Sequence, residues 1–411
     1  MLTVDEALER VLAEARPLEP RAVPLDEALG LVLAEDITSD VDSPPHDKAA
    51  VDGYAVRTAD VAAGERRLAV VEEITAGAVP QHKLERGEAA RVMTGAPLPE
   101  GSDAMVMIER TRLITAGANE HVELDSSPIA TGQNIVRRAS ALRRGQTVLR
   151  APLRLRPIEI GLLAEVGRHT VLARPRPQVA VLPTGNEIVS LEQQPGPGQI
   201  RNSNGPMLLA TARWHGGQTI DLGIARDDPD QLEQLIRRGL EADILTISGG
   251  VSAGKLDLVP GVLSRLGVRE VFHKIKLKPG KPLWFGVHRS GEKQTLVFGL
   301  PGNPVSSLVC FELFVRPAIA RLAGLEVPAA SNLRLPLASG FDHRGDRPTY
   351  HPARMIERDG RHLVETVAWI GSADLAALTA ASALALFPAG DRTYGAGEEV
   401  SVYPLKTTLG E

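Results

Sequence analysis

Residues 243–257, DILTISGGVSAGKLD, constrain this chain more than any other stretch. Ile244–Ile247 is apolar and rich in β-branched residues, so it reads as a buried strand. Gly249, Gly250 and Gly254 follow, and a helix is expected near Asp257 with Leu258, Val259, Val262, Leu263 and Leu266 on one face. Glycines let backbone approach a ligand without Cβ interference. The free N–H groups that open a helix suit an anion. Asp257 beside such a site makes sense when a cation bridges acid and anion. The stretch therefore suggests phosphate, carboxylate and Mg²⁺ together.

This strand–turn–helix unit sits in a run of similar units. From Val179 the chain alternates QVAVLPTGNEIV, MLLATARWHG, QTIDLGIARDD, PDQLEQLIRRGLE, ADILTISGG, REVFHKIKL and TLVFGLPGNPVSSLVCFELFVRPAIARLAG. Alternating β and α units of this length predict a parallel-rich sheet with helices on both faces. Ligands bind beyond the carboxyl ends of such strands. The residues expected there are Thr184, Gly185 and Glu187; Asp227 and Asp228; Ser248, Gly249, Gly250, Ser252 and Gly254 with Asp257; Lys274, Lys278 and Lys281; and Pro301, Gly302, Asn303 and Pro304. Glu187, Asp228 and Asp257 are candidate Mg²⁺ ligands, directly or through water. Lysines beside a Pro-Gly turn suit phosphate or another oxyanion.

The fold class read from the whole chain is multidomain α/β and β. Residues 1–45 with 132–173 form an N-terminal helical and extended domain. Residues 46–131 form an inserted small β domain, 174–327 the α/β domain, and 328–411 a β-barrel-like domain. Thr3 with Glu6 predicts a capped helix over 3–15, and VPLDEALGLVLAEDI (23–37) predicts a second helix ending in an extended segment. In SPPHDKAAVDGYAV, Asp52-Gly53 marks a turn before a strand, either structural or functional. In VMTGAPLPEGSDAMVMIE, Thr94 could offer a hydroxyl and an N–H. Arg137, Arg138, Arg143 and Arg144 read as a solvated face or an oxyanion site. His46 and His273 are the histidines inside candidate loops, and each reads first as structural.

Composition excludes several classes. A net charge of −5 and 3% aromatics argue against a nucleic-acid partner. Cys310, the one cysteine, lies in an apolar run, so it reads as a core residue and no disulfide framework is expected. No apolar run reaches membrane-span length and the acidic N-terminus does not read as a signal peptide, so a cytoplasmic location without membrane contact is expected. No nucleophile–base pair is legible. The residues by themselves support a Mg²⁺-dependent enzyme, or a binder, acting on a phosphorylated or nucleotide-bearing anion.

Many long segments, in order, carry a resemblance: HDKAAVDGYAV, MTGAPLPEGSDAMVMIE, NIVRRA, LPTGNEIV, SNGPML, RDDPDQL, SGGVSAGKLD, KLKPGKP and GLPGNPVSS. The chain resembles the molybdopterin molybdenumtransferases, relatives of the gephyrin E domain. The resemblance implies a four-domain homodimer whose cleft is shared between subunits. It implies molybdenum cofactor biosynthesis: Mg²⁺-dependent insertion of molybdate into adenylylated molybdopterin, with release of AMP. A molybdopterin adenylyltransferase and molybdoenzyme apoproteins are the implied partners.

Carried over by motif, Gly249, Gly250, Ser252 and Gly254 would hold the pterin phosphate region. Glu187, Asp228 and Asp257 would form the metal-associated acidic site. Lys274, Lys278 and Lys281 with Pro301–Pro304 would line the cleft, joined by Asp52 and Thr94 from another domain. The chain departs from the family pattern at Lys48-Ala49, Val51, Ala139-Ser140-Ala141, Asn186, Asn202 and Ala376-Ala377. Carboxylates are lost at Ser140, Ala141, Asn186 and Asn202, so the alternative expectation is a catalytically impaired paralogue that carries molybdopterin or finished cofactor.

Overall fold

The computed structural model describes residues 1–116, 119–251, 258–327 and 333–405. Ser252, Gly254 and Asp257 therefore lie outside the described residues. The chain divides into two units, one of residues 1–34, 152–156 and 171–411, the other of 35–151 and 157–170.

The first unit is built on a six-stranded sheet. Its elements are β1 (Gln178–Pro183), α1 (Asn204–Trp214), β2 (Gln218–Asp221), α2 (Pro229–Gly239), β3 (Ile244–Ser248), α3 (Val259–Arg265), β4 (Arg269–His273), β5 (Trp284–Ser290), β6 (Lys293–Leu300), α4 (Pro304–Cys310) and α5 (Arg316–Leu322), with a π-helical turn Phe311–Val315 joining the last two helices. The strand order is β2-β1-β3-β6-β5-β4. The pairs β2/β1, β1/β3 and β3/β6 are parallel, while β5 pairs antiparallel with both β6 and β4. The antiparallel edge follows from chain length: residues 291–292 are a hairpin connection, too short for a crossover.

Separate apolar cores cover the two faces of the sheet. One takes Val179, Val181 and Phe298 with Leu208, Val309 and Phe314; the other takes Ala180, Leu182 and Ile247 with Leu232, Ile236 and Leu263. Alternate residues of each strand serve opposite cores, which is why β3 is buried along its length. Cys310 is fully buried within the first core, and burial pushes its thiol pKa up. The N-terminal helix Val4–Glu14 packs on that core and carries the expected capping box between Thr3 and Glu6.

The second expected helix is not formed. Residues 23–37 contain instead the end of the strand Arg21–Pro24, a single 3₁₀ turn Leu25–Glu27 and short strands at Val32–Leu33 and Ile37–Thr38. Pro24 and Gly30, the latter at φ 78°, bracket too few residues for a stable α-helix. C-terminal to the α/β layer, an antiparallel sheet orders Arg334–Pro336, Glu399–Pro404, Ala383–Phe387, Thr349–Arg358 and Arg361–Thr366, beside a two-stranded ladder of Phe341–His343 with Arg392–Tyr394.

The second unit carries a six-stranded sheet ordered Ala104–Met107, Gly53–Val56, Glu88–Val92, Arg67–Ile74, Asn119–Leu124 and Thr111–Ala116. Among the described residues, no helix is long and apolar enough to cross a membrane.

Candidate functional site

The carboxyl ends of β1, β3 and β6 are level: Pro183 pairs with Ser248, and Ser248 with Leu300. The chain leaves β1 for β2 on one side, while β3 lies on the other. A crevice therefore opens between β1 and β3, the usual ligand position in such sheets. The turns that leave the three strand ends are bound to one another. Thr184 N–H donates to the Ser248 carbonyl at 2.8 Å and Gly249 N–H to the Leu300 carbonyl at 3.1 Å.

Gly249 and Gly250 adopt φ of 99° and 64°. A Cβ on Gly249 would stand 2.4 Å from the Thr184 carbonyl oxygen, and one on Gly250 would stand 3.0 Å from Thr184 Oγ1. Only glycine meets both the dihedral and the spacing. Thr184 is 2% exposed, and its hydroxyl has no hydrogen-bond partner among the described residues. A buried, unpaired hydroxyl beside two glycines is a feature expected of a ligand site. His273 Nε2 lies 3.0 Å from the Val251 carbonyl, so the ring carries its proton there and steadies the end of the turn.

Two adjoining cavities occupy the crevice. The smaller, about 260 Å³, is lined by Thr184, Gly185, Glu187, Asp227, Gly249, Gly250 and Val251. The larger, about 580 Å³, is lined by Lys278, Lys281, Asn303, Ser306, Arg347, Trp369 and Ser372 among others. Glu187, Pro282, Pro301 and Gly302 border both. Glu187 reaches both cavities; the small one adds the carboxylate of Asp227, and the large one adds three cationic side chains.

The expected residues do not all converge. Asp228 lines neither cavity; it N-caps α2, its Oδ1 accepting from Gln231 N–H at 2.8 Å. Its neighbour Asp227 lines the small cavity in its place. Lys274 lines neither cavity, and its amide donates to the Leu283 carbonyl. Lys278 is clamped at its backbone, donating to Pro348 and accepting from Tyr350. Pro304 opens α4, and Asn303 Nδ2 donates to Ser372 Oγ at 2.9 Å. Asn186 Oδ1 accepts from Asp227 N–H at 3.2 Å, so this neutral side chain still orders the acidic turn.

In the second unit, Asp52 and Thr94 are bonded to each other, and both hydrogen bonds hold the Asp52 carboxyl below the ordinary aspartate value. Arg137 and Arg138 are neutralised by Asp47 and Asp42, which favours the solvated-face reading for those two.

Sequence reasoning passed over Asn204 and the C-terminal contributors. Asn204 is 7% exposed, and its Nδ2 donates at 2.7 Å both to Ser248 Oγ and to the Gly302 carbonyl. It ties the turn after β3 to the turn after β6. The SNGPML segment was its only visible signal. Arg347, Trp369 and Ser372 come from a distant region without a motif.

Hard carboxylate oxygens at Glu187 and Asp227 fit Mg²⁺, which uses one or two carboxylates and completes its shell with phosphate oxygens and water. Among the described residues no group of three or more His, Cys, Asp or Glu side chains forms a protein-only metal cage. The arrangement suits a cation held jointly with a phosphorylated ligand.

Three family models match successive parts of the chain. Residues 2–167 match the family described as MoeA N-terminal region (domain I and II), 180–321 the probable molybdopterin binding domain, and 334–405 the MoeA C-terminal region (domain IV). The molybdopterin molybdenumtransferase of Bacillus subtilis is 33% identical, covering 100% of this chain and 95% of that protein. That of a Nostoc species is 36% identical over 93% of this chain and 88% of the relative. Two solved structures of the molybdopterin biosynthesis MoeA protein from Pyrococcus horikoshii align with TM-scores of 0.82 and 0.78, at 33% and 30% identity, covering 99% and 98% of this chain and 100% of each of those chains.

Proposed function

The chain belongs to the molybdopterin molybdenumtransferase family, transferases of molybdenum cofactor biosynthesis, and from that premise we propose that it inserts molybdate into adenylylated molybdopterin and releases AMP in a Mg²⁺-dependent reaction. The observation that carries this reading is the pair of adjoining cavities, one with the carboxylates of Glu187 and Asp227, the other setting Lys278, Lys281 and Arg347 beside the same Glu187, with Pro301 and Gly302 in the shared wall. A dianion and a phosphorylated ligand repel, so the reaction needs their charges compensated and their approach fixed.

In this reading Thr184, Gly185, Ser248, Gly249 and Gly250 seat the phosphate region, together with Ser252 and Gly254. Lys278, Lys281 and Arg347 receive the oxyanion. Glu187 and Asp227 hold Mg²⁺, with Asp257 as a further acid of the site; bound there, the ion would neutralise phosphate charge. Asn204 keeps the two ligand turns in register through its bonds to Ser248 and Gly302. Asp52 and Thr94 complete the cleft from a partner subunit of a homodimer, and the protein works in the cytoplasm. It receives its ligand from a molybdopterin adenylyltransferase and delivers product to molybdoenzyme apoproteins.

The test mixes purified protein with adenylylated molybdopterin, molybdate and Mg²⁺ and measures AMP. Release that depends on all three supports the proposal. A second reading, an impaired carrier, draws on Asn186: with an amide there, Glu187 and Asp227 are the carboxylates among the described residues of the small cavity. Tight binding of the adenylylated ligand without AMP release would establish that reading instead.

A further inference from the structure

Aromatic residues make up only 3% of this chain, yet several converge behind one wall of the larger cavity. Trp369 lines that cavity and is half-buried, whereas Trp284 is a closed core residue at 2% exposure. The Trp369 ring is met edge-on by His351, with centroids 5.4 Å apart and planes at 71°. His351 is met edge-on by Phe341 at 4.8 Å and 72°, and Phe341 stacks on Phe387 at 4.3 Å. His351 Nδ1 lies 2.8 Å from the Pro352 carbonyl. That oxygen can only accept, so Nδ1 carries the proton and the ring orientation is set. Each ring in this series blocks rotation of the next, and Trp369 is held as a fixed part of the cavity wall.

Lys278, Lys281 and Arg347 line the same cavity. An indole surface and three cations within about 580 Å³ select a ligand with two parts: a flat heterocycle to stack and an oxyanion to neutralise. A cavity for a bare oxyanion needs no aromatic wall.

We propose that Trp369 is the stacking platform for the heterocycle of a nucleotide or pterin phosphate, and that His351 is the positioning residue that holds it. This rests on the proposed function for the anion end and specifies where the ring of the ligand goes.

The experiment titrates the full-length protein with AMP, with a pterin monophosphate and with inorganic phosphate. It compares wild type with Trp369→Leu, Trp369→Phe, His351→Leu and His351→Phe. Trp369→Leu should weaken one of the two heterocyclic phosphates by about tenfold or more and leave inorganic phosphate unchanged. Trp369→Phe should recover most of the loss. Whichever arm responds identifies the heterocycle. His351→Leu should show a smaller loss of the same selectivity, and His351→Phe, which keeps an edge-on ring, should restore it. Unchanged affinity in Trp369→Leu, an equal loss for inorganic phosphate, or no binding of either heterocyclic phosphate to wild type overturns the proposal. AMP release by wild type, assayed separately, reports on the proposed function alone.

Discussion

Thr94 donates both its backbone amide and its hydroxyl to one carboxylate oxygen of Asp52, at 2.6 and 2.7 Å. The hydroxyl bond is the larger cause of the lowered Asp52 pKa, the amide bond the next. A depressed carboxylate stabilises the fold above the ordinary aspartate value of about 3.9, and that contribution is lost as pH falls through the depressed value. Thr94→Val removes the hydroxyl bond and should move the Asp52 titration up toward the ordinary value; Thr94→Ser should not. A carboxyl NMR titration checks this, and an Asp52 that titrates alike in both variants would assign the shift to other groups.

Gly249→Ala should be much worse than Gly64→Ala. Both glycines have φ above 90°, at 99° and 94°, but a Cβ on Gly64 meets nothing within 4 Å, whereas one on Gly249 meets the Thr184 carbonyl at 2.4 Å. Backbone strain alone costs about 1–3 kcal/mol. Urea unfolding of the two variants separates strain from collision. Equal losses would mean that the turn after β3 yields freely.

Asn204→Ala should destabilise the protein by about 1–3 kcal/mol, since two buried hydrogen bonds go and the Gly302 carbonyl loses its donor. Asn204→Asp should be at least as harmful, because it sets a carboxylate oxygen against that carbonyl. Denaturant midpoints give the stability, and AMP affinity should fall with it as the two turns lose register. A variant with wild-type stability and wild-type affinity would remove Asn204 from the site.

Acid should weaken the C-terminal region before it weakens the rest. His343 and His351 are 3% and 7% exposed, and burial pushes both below the ordinary imidazole value; the Lys278 charge acts in the same direction. The unfolded chain then binds protons that the fold excludes. Stability is full above about pH 6.5 and is lost as pH drops through it toward the folded values. The double variant His343→Phe, His351→Phe should lose less stability than wild type between pH 7.5 and 5.5 in urea unfolding. Parallel losses would place the acid sensitivity elsewhere.

Much of the fold was legible because it is written locally. The capping box at Thr3 and Glu6, the apolar run of Ile244–Ser248 and the paired glycines after it each encode their structure within a few residues. Residues 23–37 show the limit of that rule, since an apolar pattern of helical period, interrupted by Pro24 and Gly30, became short strands and one turn.

The sequence by itself determined the alternating α/β layer, the glycine turn at β3 and the general acidity and basicity of the site, since periodicity and φ-permissive residues act over one turn or one strand. Tertiary structure alone decided which charged residue faces the ligand. Asp228 was committed to the first turn of α2 and left Asp227 at the cavity. Lys278 and Lys281 gained Arg347 and Trp369 as neighbours from segments that flank strands far along the chain. The direction of a side chain at a helix start, and the meeting of distant segments, depend on how whole elements pack, and no local pattern encodes that.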